Sequence, residues 1–158
     1  MQKYINTIVK KALDEDLKPH GDITTNLISF KNKKATAKII AKQNGIIAGL
    51  DFCRSAFKLV GKEAIFINKV KDGSKVKKNK IIAQIKAKTK TILVAERTAL
   101  NFLNHASGIA TLTYQFKQKV NKKTKICCTR KTTPNLSCLL YTSPSPRDAT
   151  LSRMPSSA

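Results

Sequence analysis

Tryptophan is absent from this chain, and aromatic residues make up only 6% of it. Platforms on which nucleic-acid bases could stack are therefore scarce. Acidic residues are also few: nine Asp and Glu stand against 31 Lys and Arg, for a formal net charge of +22. Such an excess invites a nucleic-acid partner. The lysines, however, are scattered through every segment instead of gathered on one motif, and Lys, Asn and Ile are abundant together, as A/T-rich codons would produce. A nucleic-acid role is not expected. The four cysteines (Cys53, Cys127, Cys128 and Cys138) form no C-x-x-C pair and have no His at ligand spacing. That pattern excludes a zinc or disulfide framework and leaves reduced, buried thiols as the expectation.

Long apolar runs are missing too. None approaches the roughly 18–20 residues that a membrane span needs, so no membrane role is expected. Asp14, Glu15 and Asp16 fall within the first twenty residues, which argues against a signal or transit peptide and makes the cytoplasm the expected compartment. No G-x-x-x-x-G-K loop, G-x-G-x-x-G turn or Ser/His/Asp arrangement is present. The apolar fraction of 41% nevertheless suffices for a packed core.

Arginine is the most informative shortage. Of the 31 basic residues 26 are Lys and five are Arg, and only Arg54, Arg97 and Arg130 precede residue 137. In so Lys-rich a chain each Arg is a candidate for work that Lys cannot do, because guanidinium offers a planar fork to carboxylate or phosphate. Arg54 lies in a helical pattern among polar neighbours and reads as a surface residue. Arg97 follows Glu96 near the start of a long helical pattern, where a cation opposes the helix dipole, so helix stability does not explain it. Arg130 and Lys131 stand in CTRKTTP, flanked by Thr129, Thr132 and Thr133. Their combined donors suit a compact dianion. The two histidines, His20 and His105, read as exposed or core-edge residues.

Periodicity supplies the elements. Ile5, Ile8, Val9, Ala12 and Leu13 space as an amphipathic helix that should end near Leu17, ahead of Pro19. Residues 35–42 read as a strand. Gly45 and Gly49 suit a tight turn and close packing. Leu50, Cys53, Phe57 and Val60 space as a helix closed by Gly61. The runs IFINKVK and KIIAQIKAK read as strands, with Asp72-Gly73 between them as a tight-turn signal and the nearby lysines as a solvated hairpin rim. A helix is expected from Thr91 to Val120. Gly108 within it costs about 1 kcal/mol relative to Ala, which suggests that another backbone approaches there. KICC then reads as a strand, with TRKTTP at its C-terminal end, as α/β barrels and doubly wound sheets place their chemistry.

From Ser137 the composition changes abruptly. The last 22 residues contain no Lys, yet hold six of the ten Ser and three of the five Pro. Residues 137–158 are read as a tail foreign to the rest, disordered or artefactual, and are set aside from fold reasoning.

Taken in order, ALDEDLKPHGDITT (12–25), NGIIAGLDFC (44–53), ERTALNFLNHASGIAT (96–111) and TRKTTPNL (129–136) resemble the motifs of quinolinate phosphoribosyltransferase, also called nicotinate-nucleotide pyrophosphorylase (carboxylating). The resemblance covers nearly all of residues 1–136. It implies an α+β fold: an N-terminal α/β sandwich domain over residues 1–112, then the first helix and strand of a truncated α/β barrel over residues 113–136. It also implies transfer of a phosphoribosyl group from phosphoribosyl pyrophosphate to quinolinate with Mg²⁺, giving nicotinate mononucleotide, pyrophosphate and CO₂ for NAD synthesis. By the same resemblance Thr129, Arg130 and Lys131 bind the quinolinate carboxylates. Arg97 is contributed from the partner subunit of a homodimer with shared active sites. Cys128 stands where many members have Asp. The family's later basic residues and its Mg²⁺-linked acidic residues have no counterparts here, so the 158-residue polypeptide by itself is expected to be inactive and poorly soluble. The alternatives are a relative of the same fold associated with molybdenum transport, a biotinyl- or lipoyl-type carrier module, which would need a modifiable Lys near Met, and a non-catalytic basic binding module.

Overall fold

The computed structural model describes residues 1–22, 25, 33–120 and 126. Among the described residues, three helices and five strands follow one another in the order α1 (Gln2–Leu17), β1 (Lys34–Ile40), β2 (Gly45–Ile46), α2 (Leu50–Val60), β3 (Ile65–Asn68), β4 (Lys75–Val76), β5 (Ile81–Lys88) and α3 (Thr89–Lys119). The expected α+β class is what these residues form.

The long elements arise where the apolar period is clean. In α1 the buried residues are Ile5, Ile8, Val9 and Leu13, one stripe at helical spacing. The helix stops because Lys18 precedes Pro19, and Lys18 takes extended angles, φ −90° and ψ 150°. Exposure alternates residue by residue along β1. Its inward Ala35, Ala37 and Ile39 lie opposite Ala87, Ile85 and Ala83 of β5. β5 is the middle of a three-stranded antiparallel sheet ordered β1-β5-β3. α2 and α3 pack on one another and reach the sheet, and α1 packs on both helices. The core is stacked aromatic and aliphatic carbon: the Phe52 and Phe102 ring centroids lie 5.2 Å apart, and those of Phe57 and Phe66 lie 6.0 Å apart.

Two expectations change. First, β3 and β5 do pair antiparallel, but the chain between them makes no simple hairpin. It leaves the sheet, and β4 pairs with β2 in a separate two-stranded ribbon. Asp72-Gly73 does turn the chain, with Gly73 at φ 87°. The turn is bound to residue 47 (Gly73 N–H to Ile47 C=O, 2.7 Å; Ile47 N–H to Ser74 C=O, 3.0 Å) and not to a hairpin partner.

Second, nothing approaches within 4 Å of a Cβ placed on Gly108. The close approach on α3 lies instead at Ala106, whose Cβ is 3.0 Å from the position a Cβ on Gly49 would take. Gly108 is exposed on the opposite side.

Gly61 closes α2 as expected, its N–H donating to the Phe57 carbonyl at 3.0 Å with the backbone extended, φ −143°. Glycine fits there because a Cβ would lie 2.6 Å from Thr91.

Candidate functional site

The SGIAT half of the long-helix motif has a structural function. Thr111 Oγ1 accepts the N–H of Ile46 at 2.9 Å and donates to the Ser107 carbonyl at 2.7 Å. Ser107 Oγ accepts from the Ala48 N–H at 3.1 Å and donates to the Ala48 carbonyl at 3.2 Å. These two hydroxyls, one turn apart on α3, satisfy backbone groups of the 46–48 segment that no third strand covers. On the far side of that segment, Asp72 accepts from the N–H groups of Gly49 and Leu50 at 3.1 and 3.2 Å and so caps α2. Burial pushes the Asp72 carboxyl above its ordinary value despite those two bonds. Periodicity could not reveal these roles; the available signal was hydroxyl residues at i and i+4 on a helix, matched to two glycines elsewhere.

In the ERTALN half Glu96, Arg97 and Asn101 are exposed, whereas Thr98 and Ala99 are buried. Arg97 Nη1 donates to Asp16 Oδ1 at 2.9 Å, joining α3 to the last turn of α1. Three quarters of the Arg97 side chain is exposed, against 23% of Asp16. Beside this pair an open groove of about 800 Å³ runs between the two helices, lined by Glu15, Asp16, Asn101, Asn104 and His105 among others. Asp22 lies within the electrostatic reach of Arg97. Its carboxyl accepts from the Thr25 hydroxyl and from the Thr25 N–H. Those two bonds, aided by the charges of Arg97 and Lys90, hold it below its ordinary value.

The helix begins at Thr89, which puts Arg97 beyond its first turn. The dipole penalty expected at Arg97 fades within that first turn and does not bear on it. The Arg97 head is instead placed by the Asp16 carboxylate, which accepts from Nη1.

The remaining candidates divide. Thr129, Arg130 and Lys131 lie outside the described residues, as do Cys127, Cys128, Cys138 and residues 137–158. Arg54 is the surface residue expected, paired with Asp51 at 2.9 Å and 5.8 Å from the Phe66 ring centroid. His20 and His105 are exposed. Cys53 is fully buried, and burial raises its thiol to about 12, which makes it unreactive. Among the described residues no group of three or more His, Cys, Asp or Glu could hold a metal ion. No described helix is long and apolar enough to cross a membrane.

Comparison with known proteins gives a consistent picture. Residues 22–107 match the family model described as quinolinate phosphoribosyl transferase, N-terminal domain. A probable nicotinate-nucleotide pyrophosphorylase [carboxylating] of Methanocaldococcus jannaschii is 42% identical over 143 residues, which cover 88% of this chain and 48% of that protein. A tobacco quinolinate phosphoribosyltransferase [decarboxylating] is 34% identical over 82% of this chain and 37% of its own length. Among solved structures, NadC from Streptococcus pyogenes superposes with a TM-score of 0.84 at 34% identity, covering 90% of this chain and 52% of that one. The chain thus spans about half the length, or less, of the relatives it matches.

Proposed function

This chain belongs to the quinolinate phosphoribosyl transferase family, whose N-terminal domain it carries at residues 22–107, and from that premise we propose that the whole protein transfers a phosphoribosyl group from phosphoribosyl pyrophosphate to quinolinate. The products are nicotinate mononucleotide, pyrophosphate and CO₂, a step of NAD synthesis carried out in the cytoplasm. The observation that carries the reading is Arg97, one of three arginines ahead of residue 137, exposed and held by Asp16, which lines the neighbouring groove. Quinolinate has two adjacent carboxylates. Thr129, Arg130 and Lys131 would hold them with Arg97, since forked donors fix both position and orientation.

The reading includes a homodimer with shared active sites, in which the partner subunit supplies Arg97 to the site formed around Arg130. The same reading divides the chain into a sandwich domain over residues 1–112 and the opening of a barrel over 113–136. Mg²⁺ enters only through the family, because the described residues offer no array of ligands for it.

The test is a quinolinate-dependent assay of the complete gene product, supplied with phosphoribosyl pyrophosphate and Mg²⁺. The expected result is CO₂ and nicotinate mononucleotide in equal amounts. Absence of both overturns the proposal.

A further inference from the structure

Beyond its chemistry, the Arg97 corner has an unusual support. Asp14 pairs with Lys18 just past the end of α1, and Asp51 with Arg54 inside α2, both local contacts. The pairing of Asp16 with Arg97 spans 81 positions and joins two helices. Asp16 lies in the last turn of α1, which carries no basic residue, at the end of the helix where a negative charge is disfavoured. Helix stability therefore does not account for it. Nor does pair stability, since an ion pair with so exposed an arginine contributes little. Packing of α1 does not need it either, because Ile5, Val9 and Leu13 already fill that interface.

What the contact does is geometric. An exposed arginine samples many rotamers. Asp16 is short and anchored to a helix, with 23% of its side chain exposed, so it acts as a fixed post. It takes Nη1 of the guanidinium and leaves the Nε/Nη2 edge, the edge that binds a carboxylate bidentately. We propose that Asp16 is a positioning residue for the dicarboxylate substrate, holding the Arg97 fork in the orientation that receives it. This rests on the functional reading above.

The experiment measures steady-state kinetics of the complete enzyme with Asp16→Ala, Asp16→Asn, Arg97→Ala and the Asp16→Ala/Arg97→Ala double variant. Losing the preorganisation of one long side chain should raise the KM for quinolinate about threefold to tenfold in Asp16→Ala, leaving kcat and the KM for phosphoribosyl pyrophosphate within about twofold. Asp16→Asn keeps an acceptor at the same atom and should recover most of the loss. In the Arg97→Ala background, Asp16→Ala should change nothing further. An unchanged quinolinate KM in Asp16→Ala overturns the inference, as does an equal rise in the Arg97→Ala background, since either removes Arg97 as the route of the effect. If Asp16→Ala does not fold, Asp16→Ser carries the same comparison. A wild-type enzyme that makes no product from quinolinate overturns the functional reading, and this inference with it; an active wild type indifferent to Asp16 overturns this inference alone.

Discussion

The Oγ1 of Thr111 lies 2.9 Å from the point that a Cβ on Gly45 would occupy. That oxygen cannot swing away without losing its bonds to the Ile46 N–H and the Ser107 carbonyl. Gly45→Ala should therefore lower stability by about 1–3 kcal/mol through overpacking. Thr111→Ala should cost about 1–3 kcal/mol by leaving the Ile46 amide without its acceptor. Together the two should cost less than their sum, because the alanine fills space the threonine has vacated. Urea unfolding of the four proteins in the cycle measures this, and strict additivity would show that the two sites are not coupled.

Two glycines, one packed against α3 and one on its exposed side, should respond in opposite directions. Gly49 sits at φ 93° with Ala106 at contact, so Gly49→Ala should cost about 1–2 kcal/mol from the left-handed backbone alone. Gly108 is helical with open space around it, so Gly108→Ala should add about 0.5–1 kcal/mol of stability. A thermal melt of each variant separates the outcomes.

Acid titration should reveal two carboxylates working against each other. Asp72 has a raised value in the folded protein, so folding holds its proton more tightly than the unfolded chain does. Its contribution is complete below the ordinary value of 3.8 and is lost as pH climbs above it. Asp22 has a lowered value, so its contribution is present above 3.8 and disappears as pH falls below it. In stability measured from pH 2.5 to 6, Asp72→Asn should remove a decline on the alkaline side of that window, and Asp22→Asn should remove a decline on the acid side. Curves for both variants parallel to the wild type would contradict the assignment.

In the complete enzyme, Arg97→Ala or Arg130→Ala should each cost about 2–5 kcal/mol of substrate binding or transition-state stabilisation, the scale for truncating one partner of a desolvated charge pair. The ratio of kcat/KM to wild type for quinolinate measures it. A loss below fivefold at both positions would rule out their role in binding the dicarboxylate.

The elements legible in the sequence were those whose period extends over several turns or residues. α1, α2, α3, β1 and β5 all announce themselves this way. β2 and β4 contribute two residues each, too few for any period; they pair only with each other, and a hydroxyl on a distant helix holds β2 through the Ile46 N–H. Gly108 misled because a helical glycine signals close approach only when a neighbour exists, and the neighbour here belongs to Ala106. Of the site, the rarity of arginine singled out Arg97, since scarcity is visible without coordinates. Its partner Asp16 was hidden among three consecutive acidic residues, and only the crossing of two helices tells it from Asp14 and Glu15.

The sheet carries one more consequence, and it concerns life in a crowded solution. Only β5 is paired on both sides, so β1 and β3 each present an edge among the described residues. Such edges invite strands from other molecules. On β1, Lys34 and Lys38 are exposed, and Lys34 stands directly opposite Lys88. Any second copy that tried to extend the sheet there would lay ammonium groups beside ammonium groups, at about the 4.5–5.5 Å spacing of cross-strand neighbours. The lysines of that edge thus oppose pairing of two copies there, and the opposition fades as salt shortens the reach of the repulsion.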